Sequence, residues 1–177
     1  TDLLAAQPAR PAVSVVHSGE RHDLDERGPA GGVLLDVPVV VVTDVGAPLL
    51  NGHYIYKPRS QQRFFTSQGL GEMGFGLPGA IGAYFAEPTK QIICLNTDGA
   101  IMFNLQELST LSRSEKDTHI FIYDNSGYNS IRTSQHSHLD GRLYGSTLLD
   151  LTFPKWNLIS AAFGFEFFEI NKNDEIE

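Results

Sequence analysis

An α/β fold, with a mainly parallel sheet flanked by helices on both faces, is what this sequence predicts on three observations. From residue 39 onward, short apolar runs alternate with segments of helical spacing, the pattern of successive βαβ units. Runs such as Ile120-Phe121-Ile122-Tyr123 are apolar without alternation, as strands covered on both faces are. Three of the runs stop at turn-forming residues: Asp44-Val45-Gly46, Thr97-Asp98-Gly99 and Asp124-Asn125-Ser126-Gly127.

Taken in order, residues 12–16 (Ala-Val-Ser-Val-Val) read as a short strand, and 18–32 as a polar, glycine-rich loop. Val33 to Val37 and Val39 to Thr43 read as apolar strands split by Pro38, which cannot donate within a central strand. A glycine-rich stretch from Gly69 to Pro78 leads into a helix over 78–85, with Pro88 beyond it as a stop. A strand over 91–96 follows, then a helix over 104–114 with Leu105, Leu108 and Leu111 at three-residue spacing. A strand over 119–123, a helix over 156–163 and a strand over 165–170 complete the series. Residues 1–38 form a poorly defined N-terminal segment and 39–177 the main domain. The chain stops soon after its last strand, where such a domain would add another helix, so the domain reads as truncated at its C-terminus.

Composition narrows the function. A net charge of −8 argues against a nucleic-acid partner, which wants a basic face. It leaves an anionic cofactor open, since a metal ion and backbone N–H groups hold phosphate without lysines. The single cysteine, Cys94, excludes an internal disulfide framework and a cysteine-based zinc site; within Gln91-Ile92-Ile93-Cys94-Leu95 it reads as a buried, inert thiol. No apolar run is long enough to span a bilayer, and no basic-then-apolar leader opens the chain, so no membrane partner and a cytoplasmic location are expected.

In open α/β sheets ligands bind beyond the carboxyl ends of the strands, which makes the three strand ends the candidate site. The Asp98 carboxylate and the Asn125 side-chain carbonyl are oxygen ligands suited to Mg²⁺, and the Gly127 backbone carbonyl adds a third. Backbone N–H groups after Gly99, at a helix start, can meet the phosphates that complete such a site.

These residues resemble a known family. Asp98-Gly99, followed 27 positions after Asp98 by Asn125, is similar to the thiamine-diphosphate motif Gly-Asp-Gly, spacer, Asn-Asn. The stretch Thr66-Ser67-Gln68-Gly69-Leu70-Gly71-Glu72-Met73-Gly74-Phe75-Gly76-Leu77-Pro78 and the Gly79-Ala80-Ile81-Gly82-Ala83 after it look like the glycine-rich segment of acetolactate-synthase-like enzymes. Asn104-Leu105-Gln106-Glu107, Asn125-Ser126-Gly127-Tyr128 and Ala162-Phe163-Gly164 continue in register. The resemblance implies the thiamine-diphosphate-binding fold, with thiamine diphosphate and Mg²⁺ as cofactors and a 2-keto acid as substrate. It implies Asp98, Asn125 and Gly127 on the metal. Gly46, Gly71, Met73, Asp98, Gly99, Ala100, Asn125 and Tyr128 would lie on the cofactor. Met73 would be the apolar wedge that bends it, while the Gly71 carbonyl and Met73 N–H would bond its aminopyrimidine edge. Tyr128 could equally line the active-site mouth or pack. The reaction implied is decarboxylation and carboligation, with acetolactate synthase the first expectation and a related 2-keto-acid decarboxylase the second.

The sequence also departs from the family pattern. Thr97 replaces the first glycine of the motif, Asp124 the first asparagine, and Gly46-Ala47-Pro48 stands where acetolactate synthases usually have Gly-Gln-His. The catalytic glutamate of the family belongs to a pyrimidine-binding domain, so no catalytic residue is expected in this chain. That domain would come from the same or another chain, in a homo-oligomer such as a homodimer. Arg27-Gly28-Pro29-Ala30-Gly31-Gly32 and the run to Pro38 resemble the tail of such a domain. A partial chain, a natural split subunit that borrows its glutamate from a partner chain, and a degenerate, inactive domain are the three alternatives; a non-catalytic cofactor-binding or assembly subunit is the alternative of a different class. FAD would belong to a central domain outside this sequence. His136 and His138 lack an evident third metal ligand and read as surface or substrate-side residues, His53 as a structural or solvated residue of a polar loop, and Glu72 as no catalytic acid.

Overall fold

The computed structural model describes residues 12–17, 37–113 and 118–171. Among these residues six strands build a single sheet: β1 (Ala12–His17), β2 (Val39–Thr43), β3 (Arg63–Thr66), β4 (Gln91–Thr97), β5 (Thr118–Asp124) and β6 (Glu166–Ile170). Their order is β3-β2-β4-β5-β1-β6, and every neighbouring pair is parallel. Between them run α1 (Ala47–Ile55), α2 (Gly76–Ala86), α3 (Asp98–Ile101), α4 (Leu108–Leu111), α5 (Asn129–His138) and α6 (Trp156–Phe163).

Both faces of the sheet are covered, as the unbroken apolar runs require. All five residues of β2 are buried. A Cβ added to Gly52 of α1 would lie 3.5 Å from Thr43 Cγ2, and one added to Gly79 of α2 would lie 2.9 Å from Val42 Cγ1. Successive strand residues point to opposite faces, so α1 and α2 cover opposite sides. The core joins Val40, Val42, Ile92, Cys94, Ile120 and Ile122 of the sheet to Leu77 and Ala80 of α2 and to Leu108 and Leu111 of α4. Each buried Val, Leu or Ile of this set contributes about 1.5–3 kcal/mol by leaving water. Cys94 is buried as expected, and burial pushes its thiol up to about 12. No helix among the described residues is long and apolar enough to cross a membrane.

The structure differs from the sequence-based expectation in several places. The helix expected over 104–114 is irregular: Asn104, at φ −138°, precedes it, its first turn over Leu105–Glu107 is 3₁₀, and this runs into the single α-helical turn of α4, while residue 114 lies outside the described residues. The Asn104 side chain donates to the Gly74 carbonyl at 2.7 Å, 30 positions back in the chain, which holds the residue outside the helix. His53 lies in α1 rather than in a loop, its ring edge-on to Phe64 with centroids 5.0 Å apart. The helix predicted from Pro78 begins at Gly76. Helices α1 and α5 and strand β3 were absent from the expectation. The segment 12–17 forms β1, inserted between β5 and β6, with Val15 opposite Ile122 on one side and Glu169 on the other. The expected strand over 33–37 falls, except for Val37, outside the described residues, as do the segments 27–36 and 173–177.

Candidate cofactor-binding site

The three strand ends singled out in the sequence belong to β2, β4 and β5, which are consecutive neighbours in the sheet. From β2 the chain winds outward to β3, and from β4 it winds the other way, so the β2–β4 boundary is the topological switch point. A cavity of about 200 Å³ opens there. Val45, Gly46 and Ala47 line it from the end of β2, Thr97 from β4, and Asn125, Gly127 and Tyr128 from β5. Gly71 and Met73 close it from the glycine-rich loop, and the first turn of α5 from the far side.

A buried carboxylate fixes the glycine-rich loop. Asp44, fully buried at the end of β2, accepts from Val45 N–H at 2.8 Å, Gly76 N–H at 2.7 Å and Gly74 N–H at 3.1 Å. Burial raises its pKa, and the N–H groups of Gly76, Val45 and Gly74 work against that rise. Gly74 takes φ +90°, and a Cβ there would lie 2.7 Å from Phe103 Cβ, so only glycine fits. Met73, on the cavity wall, thus directly precedes a glycine whose N–H is held by Asp44.

A second buried carboxylate fixes the β5 loop. Asp98 opens α3, and its oxygens accept from Gly99 N–H at 2.9 Å and from Gly127 N–H at 2.9 Å. Burial pushes its carboxyl up to about 6, against the opposing N–H groups of Gly127 and Gly99, and no cationic side chain offsets it among the described residues. Thr97 caps α3 by accepting from Ala100 N–H at 3.3 Å. The ring of Tyr128 stands over Gly99, where a Cβ would come within 2.4 Å of Tyr128 Cε1.

Of the predicted residues, then, Gly46, Gly71, Met73, Asn125, Gly127 and Tyr128 meet around the cavity. Asp98, Gly99 and Ala100 are buried, Gly99 beneath the Tyr128 ring, with the N–H groups of Gly99 and Ala100 already supplied with acceptors. At Gly46 the N-terminus of α1 meets the cavity with no side-chain cap, and Pro48 sits in the first turn, where its missing N–H costs nothing. The donor set suits a hard cation: one buried carboxylate lacking a counter-charge, one side-chain amide and main-chain carbonyls. Among the described residues no three His, Cys, Asp or Glu side chains cluster as a metal site. His136 and His138 lie exposed in the last turn of α5, His138 Nδ1 2.8 Å from the Ser134 carbonyl of its own helix. Glu72 is exposed and bonded to the Ser67 hydroxyl, which lowers its pKa. Sequence reasoning missed the anchoring by Asp44, the Asn104 bond to Gly74, and the bonds of Arg132 described below. A second, wider cavity of about 400 Å³ opens beside Trp156 and Glu169 and includes none of the predicted residues.

The profile of the thiamine pyrophosphate enzyme C-terminal TPP binding domain matches residues 44–177. The chain belongs to this family. As a TPP-binding domain of the acetolactate-synthase-like kind, it resembles curated large subunits of that enzyme. It is 36% identical over 138 residues to acetolactate synthase isozyme 2 large subunit of Escherichia coli (strain K12), covering 78% of this chain and 25% of the relative. It is 34% identical over 140 residues to the isozyme 1 large subunit of the same organism, covering 77% and 24%. To the acetolactate synthase large subunit of Porphyra purpurea it is 32% identical over 135 residues, covering 76% and 22%. The TPP-binding domain described here therefore spans about a quarter of the length of the curated relatives it matches.

Proposed function

We propose that this chain holds the diphosphate end of thiamine diphosphate through Mg²⁺, as part of a cytoplasmic, homo-oligomeric acetolactate-synthase-like enzyme that decarboxylates and joins 2-keto acids. The observation that carries this is the convergence of three neighbouring strand ends on one cavity with an uncompensated carboxylate buried beneath it. Asp98, the Asn125 side chain and the Gly127 carbonyl are the metal ligands in this reading. The open N-terminus of α1 at Gly46 and the N–H groups of Gly99 and Ala100 face phosphate. Tyr128 must tilt off Gly99 for those two groups to be reached, and Ala100 must exchange the Thr97 hydroxyl for a phosphate oxygen. Gly71 and Met73 meet the aminopyrimidine, Met73 as an apolar wedge on a loop that Asp44 keeps from moving.

Bound thiamine diphosphate supplies an electron sink for decarboxylation next to a carbonyl. This chain's contribution is orientation and charge: a fixed wedge, a fixed metal loop, and walls that keep the ring away from bulk water. The catalytic glutamate comes from the pyrimidine-binding domain of the same or another chain. Calorimetric titration with thiamine diphosphate, with and without Mg²⁺, tests the reading on wild type, Asp98→Ala and Asp98→Asn. Asp98→Ala also strands the Gly127 N–H, whereas Asp98→Asn keeps an acceptor and removes the charge. Saturable Mg²⁺-dependent binding lost in both variants supports the assignment. A folded wild type that binds nothing ends it. Binding that yields no turnover after a pyrimidine-domain chain is added favours a non-catalytic subunit.

A further inference from the structure

The turn between β5 and α5 contains two residues in the left-handed half of conformational space, Ser126 with φ 52° and Gly127 with φ 125°. For a non-glycine residue that conformation is disfavoured and persists only where its surroundings over-determine it. Here they do. Asp124 accepts from Ser126 N–H at 2.8 Å and Asp98 from Gly127 N–H at 2.9 Å. Opposite them, Arg132 in α5 takes the carbonyls: Nη2 donates to Asn125 O at 2.7 Å, and Nη1 to Ser126 O at 3.0 Å and Ser146 O at 3.2 Å. Ser146 is fully buried, and its carbonyl also accepts from Tyr128 N–H at 3.1 Å. One turn along α5, Gln135 accepts from the Ser146 hydroxyl at 2.8 Å and donates to Tyr144 O at 2.8 Å. Carboxylates thus hold the N–H groups of the turn while a guanidinium holds its carbonyls. A Cβ on Gly127 would lie 2.4 Å from Ser146 O and 2.9 Å from Arg132 Nη1, which leaves the turn no slack.

We propose that Arg132 is the positioning residue of the metal loop. By occupying the main-chain carbonyls of Asn125 and Ser126, it leaves the Asn125 side chain and the Gly127 carbonyl as the oxygens available to a cation. Its fixed positive charge also stands beside an anion site. The metal half of this inference rests on the function proposed above. The planar fork of arginine serves three acceptors from one rigid group, whereas the ammonium of lysine is a point charge on a flexible stem. Lysine at 132 therefore does not replace it, although the charge is kept.

The test uses the full chain with Arg132→Gln, Arg132→Lys, and Arg132→Gln combined with Ser126→Gly. Two quantities are read: the half-saturating Mg²⁺ for thiamine diphosphate binding, and amide exchange at Gly127 and Tyr128 without cofactor. Loss of charge-assisted bonds to the turn raises half-saturating Mg²⁺ about tenfold in both single variants and speeds exchange at Gly127. Ser126→Gly recovers part of the loss, because glycine adopts the turn without help. Wild-type Mg²⁺ dependence in both single variants overturns the proposal while leaving the cofactor assignment intact. A wild type that binds no cofactor at any Mg²⁺ sinks that assignment and the metal half together. In that case exchange alone decides whether Arg132 holds the turn, and unchanged exchange in Arg132→Lys sinks this half too.

Discussion

Two glycines six residues apart in α2 respond in opposite directions to the same substitution. At Gly76 an added Cβ lies 2.8 Å from Asn96 Nδ2, 3.0 Å from Asp44 Cβ and 3.1 Å from the Asp44 backbone nitrogen. The Asp44 backbone cannot yield, because its N–H already donates to the Leu95 carbonyl at 2.8 Å within the sheet. Overpacking against such a neighbour costs about 1–3 kcal/mol. The gain from removing a glycine from the unfolded chain is about 0.4–1 kcal/mol, so the clash wins at this position. Gly76→Ala should therefore destabilise by about 1–2 kcal/mol, which for a chain of this size lowers the Tm by roughly 3–6 °C. At Gly82 nothing lies within 4 Å of the added Cβ, so only the gain remains. Gly82→Ala should raise the Tm by about 1–3 °C. Urea midpoints and thermal melts measure both. The cofactor titration adds a second readout, since Gly76 shares Asp44 with the loop that carries Met73 and Gly82 does not. The steric argument is refuted by a Gly76→Ala chain as stable as wild type, or by a Gly82→Ala chain less stable than wild type.

Three further outcomes are expected. With the Asp98 carboxyl pushed up to about 6, protons compete with the metal below that pH. Half-saturating Mg²⁺ should then rise about tenfold from pH 8 to pH 5, with proton uptake by the free site; a flat profile in calorimetry removes Asp98 from the coordination shell. Thr97→Gly frees the Ala100 N–H from its cap at a cost of only a few tenths of a kcal/mol. Thiamine diphosphate should bind about threefold tighter to that variant with little change in Tm, and equal or weaker binding shows that the hydroxyl does not compete with phosphate. Cys94, with its thiol pushed up to about 12 inside the sheet, should label with a thiol reagent only at the rate of global unfolding; fast labelling of native protein contradicts its burial.

What could be read from the sequence is what local pattern encodes. Strands β2, β4 and β5 are apolar runs closed by Asp, Asn and Gly, so both their existence and their functional ends were visible. Helix α5 was not, because Asn129–His138 buries no residue and has no apolar stripe. It stays in place through the bonds of Arg132 and Gln135 to segments that the pattern of its own residues does not reveal. The conformation of Asn104 ahead of its 3₁₀ turn depends on a carbonyl 30 positions away, and the anchoring role of Asp44 on N–H groups 30 and 32 positions away. The place of β1 between β5 and β6 is likewise a non-local choice, since a short valine-rich run suits any slot in a parallel sheet.

The two buried carboxylates explain how glycine-rich loops can give the cavity a definite shape. Asp44 and Asp98 sit at the ends of adjacent strands, β2 and β4, and each holds a glycine loop from behind by its backbone N–H groups. The sheet fixes the two carboxylates relative to each other, so the loop carrying Met73 and the loop carrying Asn125 inherit that spacing. They differ in what is left over. Asp44 is bonded to three N–H groups and works purely as an anchor. Asp98 is bonded to the N–H groups of Gly99 and Gly127, with that of Asn125 also lowering its pKa, and burial still pushes it up to about 6, so it retains a demand for positive charge. A cation meeting that demand would relieve the cost of burying the carboxylate without disturbing the bond that shapes the Gly127 turn. In the proposed reading the same side chain builds the loop and would attract the metal. Replacing its charge and removing its acceptor are therefore separable experiments: Asp98→Asn should keep the slow exchange of the Gly127 N–H while losing Mg²⁺, and Asp98→Ala should lose both.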